Sequence, residues 1–370
     1  MIKIAQPIIK KEEIRAVVRV LKSGMIAQGP IVAEFEKRFT DSCGIKYAVA
    51  VNSGTAALHC ALYAAGINEG DEVITTPFTF VATANVIIMQ RAKPVFVDIL
   101  PDTFNIDPAK IEEKITKKTK AILPVDLYGQ IYDVGAINKI AKKYKLKIIE
   151  DACQAHGAEF NHKKAGTFGD VGCFSFYATK NMITGEGGMM ITNNEEYAEL
   201  AKRFRHHGQS EKTRYQYFDL GFNYRMTDIA AAIGLEQLKK INDYNEKRIK
   251  NTQILTEGLK NIKGLITPII KKNYKHVFHQ YTIRVTDEFK MTRDELTNYL
   301  KEKEIGSAIF YPKPLHLHPH FKKFGYKKGD FPIAEKLSEE CLSLPVHPLV
   351  SEKDIRFIIK TIKEIQLCLN

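Results

Sequence analysis

Long apolar runs are missing from this 370-residue chain. None approaches the roughly 20 residues that a helix needs to span a bilayer. The opening stretch, Met1 to Lys11, holds no apolar core followed by a small-residue cleavage site, so no signal peptide is expected. Internal repeats and low-complexity linkers are absent. Paired cysteines are absent too. Cys43, Cys60, Cys153, Cys173, Cys341 and Cys368 are scattered, and none forms a CxxC pair. Zinc and redox motifs therefore have little support, and reduced, mostly buried thiols are expected. These absences together predict a soluble cytoplasmic protein with no membrane partner.

What is present is ample apolar material and an excess of positive charge. A hydrophobic content of 44% over this length suits one large domain and a smaller one. The formal net charge is +12, which favours anionic partners. The lysines, however, are spread along amphipathic stretches such as Lys110 to Lys120 and Lys139 to Lys147. No basic cluster is interleaved with exposed aromatics. The charge reads first as solvated surface, second as attraction for a small anionic substrate, and least as a nucleic-acid interface.

From Tyr47 to Asp151, short β-rich runs alternate with helical ones. Strands are expected at Tyr47 to Val51, Glu72 to Thr75, Pro94 to Asp98, Ala121 to Val125 and Lys147 to Glu150. Helices are expected at Thr55 to Ala65, Phe80 to Gln90, Pro108 to Ile115 and Val134 to Tyr144. Such alternation predicts an α/β fold with a mostly parallel sheet under helices. Ligands of such sheets bind beyond the carboxyl ends of the strands. Two more strands follow, Gly172 to Phe176 and Gly188 to Thr192. Helices are then expected at Thr227 to Ile241 and Asp243 to Leu259. Beyond these the pattern changes, with a strand at Tyr281 to Val285 and helices at Thr292 to Lys303, Ala334 to Leu342 and Glu352 to Leu367. The division is a large domain of residues 1–244 with an N-terminal arm, and a small α+β domain of residues 245–370.

Three post-strand segments carry chemistry. Asn52-Ser53-Gly54-Thr55 joins the first strand to a helix, whose free N–H groups and positive dipole end suit a phosphate. A plain N-cap and tight turn is the alternative. Asp151 directly follows the strand Lys147 to Glu150. A carboxylate there is placed to hold a protonated pyridine nitrogen, or else to cap a helix. Lys180 follows a strand and precedes the glycine-rich Thr184-Gly185-Glu186-Gly187-Gly188. A lysine held close to backbone there loses its proton readily and forms an imine; the alternative is an ordinary surface lysine. Each signal alone is weak. In this order on one αβ chain they describe a phosphate cup, a pyridinium partner and a Schiff-base lysine.

At these positions the chain resembles the DegT/DnrJ/EryC1/StrS family of sugar aminotransferases. The likeness runs over nearly the whole length. It is strongest at Ser23-Gly24, Asn52 to Leu58, Thr76 to Thr83, Glu150 to Gly157, Phe174 to Gly188 and Gly221 to Met226. The resemblance implies the fold-type I architecture, with a seven-stranded, mostly parallel sheet, and pyridoxal 5′-phosphate (PLP) as cofactor. It implies that Gly54, Thr55 and Ser175 bind the cofactor phosphate. Phe80 stacks on the pyridine ring, although spacing alone favours one more core aromatic. Asp151 pairs with the ring nitrogen and Gln154 with the phenolic oxygen, where a surface helix residue is the plainer reading. Lys180 is the Schiff-base lysine. Asn223, otherwise an ordinary turn residue, matches one that reaches the phosphate from the other subunit, which implies a homodimer with shared active sites. The implied reaction takes an amino group from glutamate to a keto nucleotide-diphosphate sugar in two half-reactions.

The stretch Ile309 to Phe321 resembles the family's substrate-side loop, and Tyr311, Lys313 and His316 are expected to contact sugar or diphosphate. Its Tyr-Pro-x-Pro-Leu-His pattern leans towards a 3-amino product. His316, His318 and His320 are closely spaced, but Pro319 intervenes and no carboxylate is near in sequence, so no metal is expected. Arg205-His206-His207-Gly208 reads equally as a family segment near the site and as a helix end closed by glycine. A sugar dehydratase is one rival reading. Members of that kind carry histidine in place of the Schiff-base lysine, and this chain keeps Lys180. A non-catalytic regulatory homologue is the other.

Overall fold

The computed structural model describes residues 1–210, Thr213 and 215–367. Cys368 lies outside the described residues; the other five cysteines are free thiols, and three of them are buried. No helix among the described residues is long and apolar enough to cross a membrane.

Seven strands form the central sheet: β1 (Tyr47–Val51), β2 (Glu72–Thr75), β3 (Lys93–Phe96), β4 (Thr119–Ile122), β5 (Lys147–Asp151), β6 (Val171–Ser175) and β7 (Gly188–Thr192). Their spatial order is β1-β7-β6-β5-β4-β2-β3. Only β7 runs antiparallel to its neighbours. Every residue of β2, β6 and β7 is buried, as a parallel sheet covered on both faces requires. Apart from one strand end, the expected strands sit within two residues of those observed. The expected Ala121 to Val125 begins earlier and stops at Ile122, because Pro124 has no N–H to continue the ladder.

Helix α3 (Gly54–Ala64) is built of small and apolar residues and is almost wholly buried against the sheet. Also in the large part are α4 (Ala82–Met89), α5 (Val134–Tyr144), α6 (Glu195–Arg205) and α7 (Asp228–Leu238). Two helices precede β1 that the sequence reading does not name, α1 (Lys11–Ser23) and α2 (Pro30–Cys43). Their stop signals were legible: Gly24 and Gly44 close them at φ of 74° and 69°. The apolar period of α1 was not, because Ile14, Val18 and Leu21 face outward. Asp228 opens α7 and also receives the N–H groups of Gly29 (2.8 Å) and Val32 (2.9 Å) at the start of α2. A carboxylate at a helix N-terminus is favourable there.

Two further expectations need correction. Pro108 to Ile115 is not an α-helix but two 3-10 turns, Pro108–Lys110 and Glu112–Lys114. Only Ile111 is buried in that charged run, too little to hold a helix. The helix expected at Ala334 to Leu342 spans Pro332–Glu340, and Cys341–Leu344 is a strand. There the chain pairs with Tyr281–Val285 instead. That pairing, with a third strand at Leu265–Ile266, makes a small antiparallel sheet. Its apolar face packs on Leu255 and Leu259 of α8 (Ile241–Leu259) and on the helix Glu352–Leu367. Helix α8 runs through the expected boundary at 244/245, so its first turns belong beside the central sheet and its last turns to the small core.

Candidate active site

The carboxyl ends of β1, β2, β5 and β6 converge on one crevice. At the end of β1, Ser53 caps α3 by accepting from Ala56 N at 3.1 Å. This leaves Gly54 and Thr55 in the first turn with free N–H groups. Gly54 is needed for space. A Cβ placed there would lie 2.6 Å from Ser175 Cβ and 3.1 Å from Ser175 Oγ and Cys153 Sγ. The helix N-terminus and the end of β6 thus approach as closely as backbone allows, and they form a cup for an anion. Gly188 plays the same part on β7, where any Cβ would collide with the Ser53 carbonyl.

At the end of β5, strand alternation sends Glu150 and Asp151 to opposite faces. Glu150 turns into the core, where its carboxylate receives Gly166 N (2.5 Å) and Phe168 N (2.9 Å). Asp151 turns to the crevice. It is buried and receives Thr83 Oγ1 at 2.8 Å and Cys153 N at 3.2 Å. Thr83 is in turn joined to Thr79 at 3.0 Å. The sequence reading missed Thr83; its only signal was the Thr-x-x-x-Thr spacing leading into α4.

After β6 the chain turns back on itself. Phe176 N donates to Gly187 O (2.8 Å), Thr184 N to Phe176 O (2.8 Å) and Lys180 N to Tyr177 O (2.9 Å). Lys180 is half-buried in this turn. Burial lowers its pKa below the usual lysine value, against the opposing pull of Cys153 and Asp151. Such a lysine presents a neutral amine more readily than a surface one.

Phe78 and Phe80 divide the roles that spacing left open. Phe78 is fully buried against Phe104 and takes the core position. Phe80 is 56% exposed, its ring tilted towards Tyr311 at 6.5 Å, and it lies before α4 rather than in it. An exposed aromatic face at a crevice is a platform for a flat ring. Gln154 is no surface helix residue. It is buried, accepts from Tyr128 N at 3.0 Å and extends Nε2 towards Tyr311 OH at 3.4 Å. The cup, the aromatic platform, the buried carboxylate and the lysine of lowered pKa fit PLP: a phosphate, a flat pyridine ring, a ring nitrogen and an aldehyde.

A family model described as the DegT/DnrJ/EryC1/StrS aminotransferase family matches residues 7–363. The chain belongs to this family. It is a PLP-dependent aminotransferase. It is 41% identical to the GDP-perosamine synthase of Caulobacter vibrioides, covering 91% of this chain and 90% of that one. It is 38% identical to the UDP-2-acetamido-2-deoxy-3-oxo-D-glucuronate aminotransferase of Pseudomonas aeruginosa, with 92% of each chain covered. Among solved structures it is similar to S. venezuelae DesV in complex with a ketimine intermediate, with a TM-score of 0.91, 34% identity and 95% and 94% of the two chains covered.

The substrate side of this aminotransferase is only partly as expected. Tyr311 lies in the crevice beside Gln154, and burial raises its pKa. Lys313 is exposed. His316 needs correction. It has no exposed surface, and its Nε2 is bound to Glu335 at 2.9 Å while its ring edge meets Phe331. Burial lowers its pKa in spite of Glu335. It anchors the loop from below rather than facing a ligand. Among the described residues, no three His, Cys, Asp or Glu side chains gather as a metal-ligand set. The segment Arg205 to Gly208 is a helix end: α6 stops at Arg205, and Gly208 N returns to Arg203 O at 2.8 Å. Asn223 is exposed beside the cup, where its carbonyl receives Asn52 Nδ2 at 3.3 Å.

Proposed function

We propose that this aminotransferase moves an amino group from glutamate onto a keto sugar carried by a nucleoside diphosphate, making an amino sugar for glycan or polysaccharide assembly. The observation that carries the reading is the lysine itself: Lys180 has a lowered pKa and shares the crevice with Asp151. The relatives named for GDP- and UDP-linked sugars support a nucleotide sugar without choosing the nucleotide. The 3-oxo sugar in one of those names agrees with the lean of the Tyr311 loop towards a 3-amino product. The net charge of +12 suits a substrate with a diphosphate.

When bound, PLP supplies an electron sink for the donor's α-carbon. The residues then divide the work. Gly54, Thr55 and Ser175 hold the phosphate, and Phe80 covers the ring. Asp151 keeps the ring nitrogen protonated, and Thr83 holds Asp151 in place. Gln154 orients the phenolic oxygen. Lys180 Nζ accepts the α-proton of the donor and returns one to the sugar carbon in the second half-reaction. Donor and acceptor use one crevice in turn, so ping-pong kinetics are expected. Tyr311 and Lys313 meet the sugar and its diphosphate. Asn223 serves the cup of a second copy in a homodimer, and the enzyme works in the cytoplasm.

The test is product analysis with glutamate and a panel of 3-keto and 4-keto nucleotide sugars. An amino sugar formed together with 2-oxoglutarate supports the reading. A deoxy sugar without 2-oxo acid would replace it with the dehydratase. No turnover on any of them, with no cofactor bound, would favour the regulatory homologue.

A further inference from the structure

A small cavity of about 20 Å³ lies between the Lys180 turn and helix α8. Its polar lining comes from Gln6, Lys180, Asn181, Gln237, Tyr244 and Arg248. Three polar atoms of that lining have no protein partner: Asn181 Oδ1, Tyr244 OH and Arg248 Nε. Their residues are 4%, 6% and 7% exposed. Groups buried to this degree are rarely left unpaired.

Their chemistry defines what fits between them. The amide of Asn181 is fixed in orientation, because Nδ2 donates to Asn245 Oδ1 (2.9 Å) and Val277 O (3.0 Å). Oδ1 is left as a pure acceptor. Arg248 Nε is a pure donor, with its Nη1 on Phe278 O at 3.3 Å. A species joining them must accept a hydrogen bond and donate one. A halide or carboxylate accepts only, and a cation is repelled by the guanidinium. Water does both, needs two to four polar partners, and fits the volume.

We infer that one ordered water, held by Arg248 Nε, Tyr244 OH and Asn181 Oδ1, braces the turn that carries Lys180 against α8. Arg248 is then a positioning residue that acts on Lys180 through Asn181. The N-terminal arm lines one side of the cavity, with Ile8 O held by Gln237 Nε2 at 2.9 Å. The water site stands on geometry alone; its catalytic consequence rests on Lys180 being the Schiff-base lysine.

The first test is a crystal structure of the PLP-loaded enzyme grown in bromide, at a resolution that places waters. A water within hydrogen-bonding distance of all three atoms is expected. Empty density, or an anomalous bromide peak, would overturn the site. The second test is Arg248→Lys, which keeps the charge and removes the Nε donor. Its kcat should fall on the order of 10–100-fold, the scale of a misplaced reacting group, with KM for the amino donor unmoved. The visible band of the lysine-bound cofactor should also form more slowly when PLP is added to apoprotein. Wild-type kcat and band formation in that variant would overturn the positioning role. Tyr244→Phe deletes only a hydroxyl and serves if Arg248→Lys does not fold; it should lose the water and show a smaller drop in kcat, and a wild-type kcat there overturns the role equally. A wild-type enzyme that holds the water but forms no visible band would refute the Lys180 reading, and the brace's catalytic role with it.

Discussion

Gly54 is the position where the fold and the cofactor site make the same demand, and Gly54→Ala tests both. The added methyl would stand 2.6 Å from Ser175 Cβ and 3.1 Å from Cys153 Sγ. A Cβ has no torsion by which to move aside, so α3 or β6 must shift. Neither is free. α3 is tied by Ala56 N and Ala57 N to Ser53, and β6 is paired with β7 from Val171 to Ser175. Overpacking of this kind costs about 1–3 kcal/mol. The same shift widens the cup and turns its N–H groups away, so PLP affinity should fall at least about tenfold, or ~1.4 kcal/mol. Urea unfolding of the apoprotein reads the first quantity, and PLP titration by absorbance reads the second. Ser175→Gly added to Gly54→Ala removes two of the three clashing atoms together with the hydroxyl proposed to bind phosphate. Stability should recover in the double variant while affinity stays low. Wild-type stability and affinity in Gly54→Ala would refute the close-approach argument, and recovered affinity in the double variant would remove Ser175 from the cup.

Lys180→Ala should abolish turnover and the visible cofactor band while the protein still folds, since the lysine is half-buried and packs no core; circular dichroism and activity separate the two outcomes. Asp151→Asn should keep some cofactor but lose about 3–5 kcal/mol of support for the ring-nitrogen charge, seen as a fall in kcat of at least a hundredfold. Phe78→Ala should cost about 3–5 kcal/mol of stability, whereas Phe80→Ala should leave stability nearly unchanged and weaken PLP binding; the reverse pattern would exchange their roles. Burial holds His59 neutral, its pKa lowered to about 4. An unfolded histidine takes a proton near pH ~6.5, so between these values the unfolded state binds more protons and stability falls with acid. From about pH 7 to about pH 5 the loss is on the order of 2 kcal/mol. His59→Gln should flatten the stability difference between those two conditions by that amount in urea unfolding.

The strand–helix alternation and the post-strand residues were legible because both follow from local periodicity. Asp151 is an instance: the end of an apolar strand is readable, and alternation then assigns Glu150 to the core and Asp151 to the crevice. The exposure of Phe80 was not readable, since spacing alone makes it one more core aromatic and only the backbone bend before α4 places it outside the helix. His316 misled because a Pro-rich loop reads as exposed, and its half-buried partner Glu335 lies on a helix 19 residues away. The strand Cys341–Leu344 was hidden for a similar reason, its partner Tyr281–Val285 being some sixty residues distant. The brace of Asn181, Tyr244 and Arg248 was invisible in sequence, because no local pattern joins a turn after β6 to the middle of α8.

The most direct measurement reduces the PLP-loaded protein with borohydride, which fixes the cofactor on whichever amine carries it, and maps the labelled peptide by mass spectrometry. The label should sit on Lys180 and be lost when the enzyme is treated with glutamate before reduction. A label on another lysine, or none on any peptide, would contradict the assignment of Lys180 as the catalytic amine.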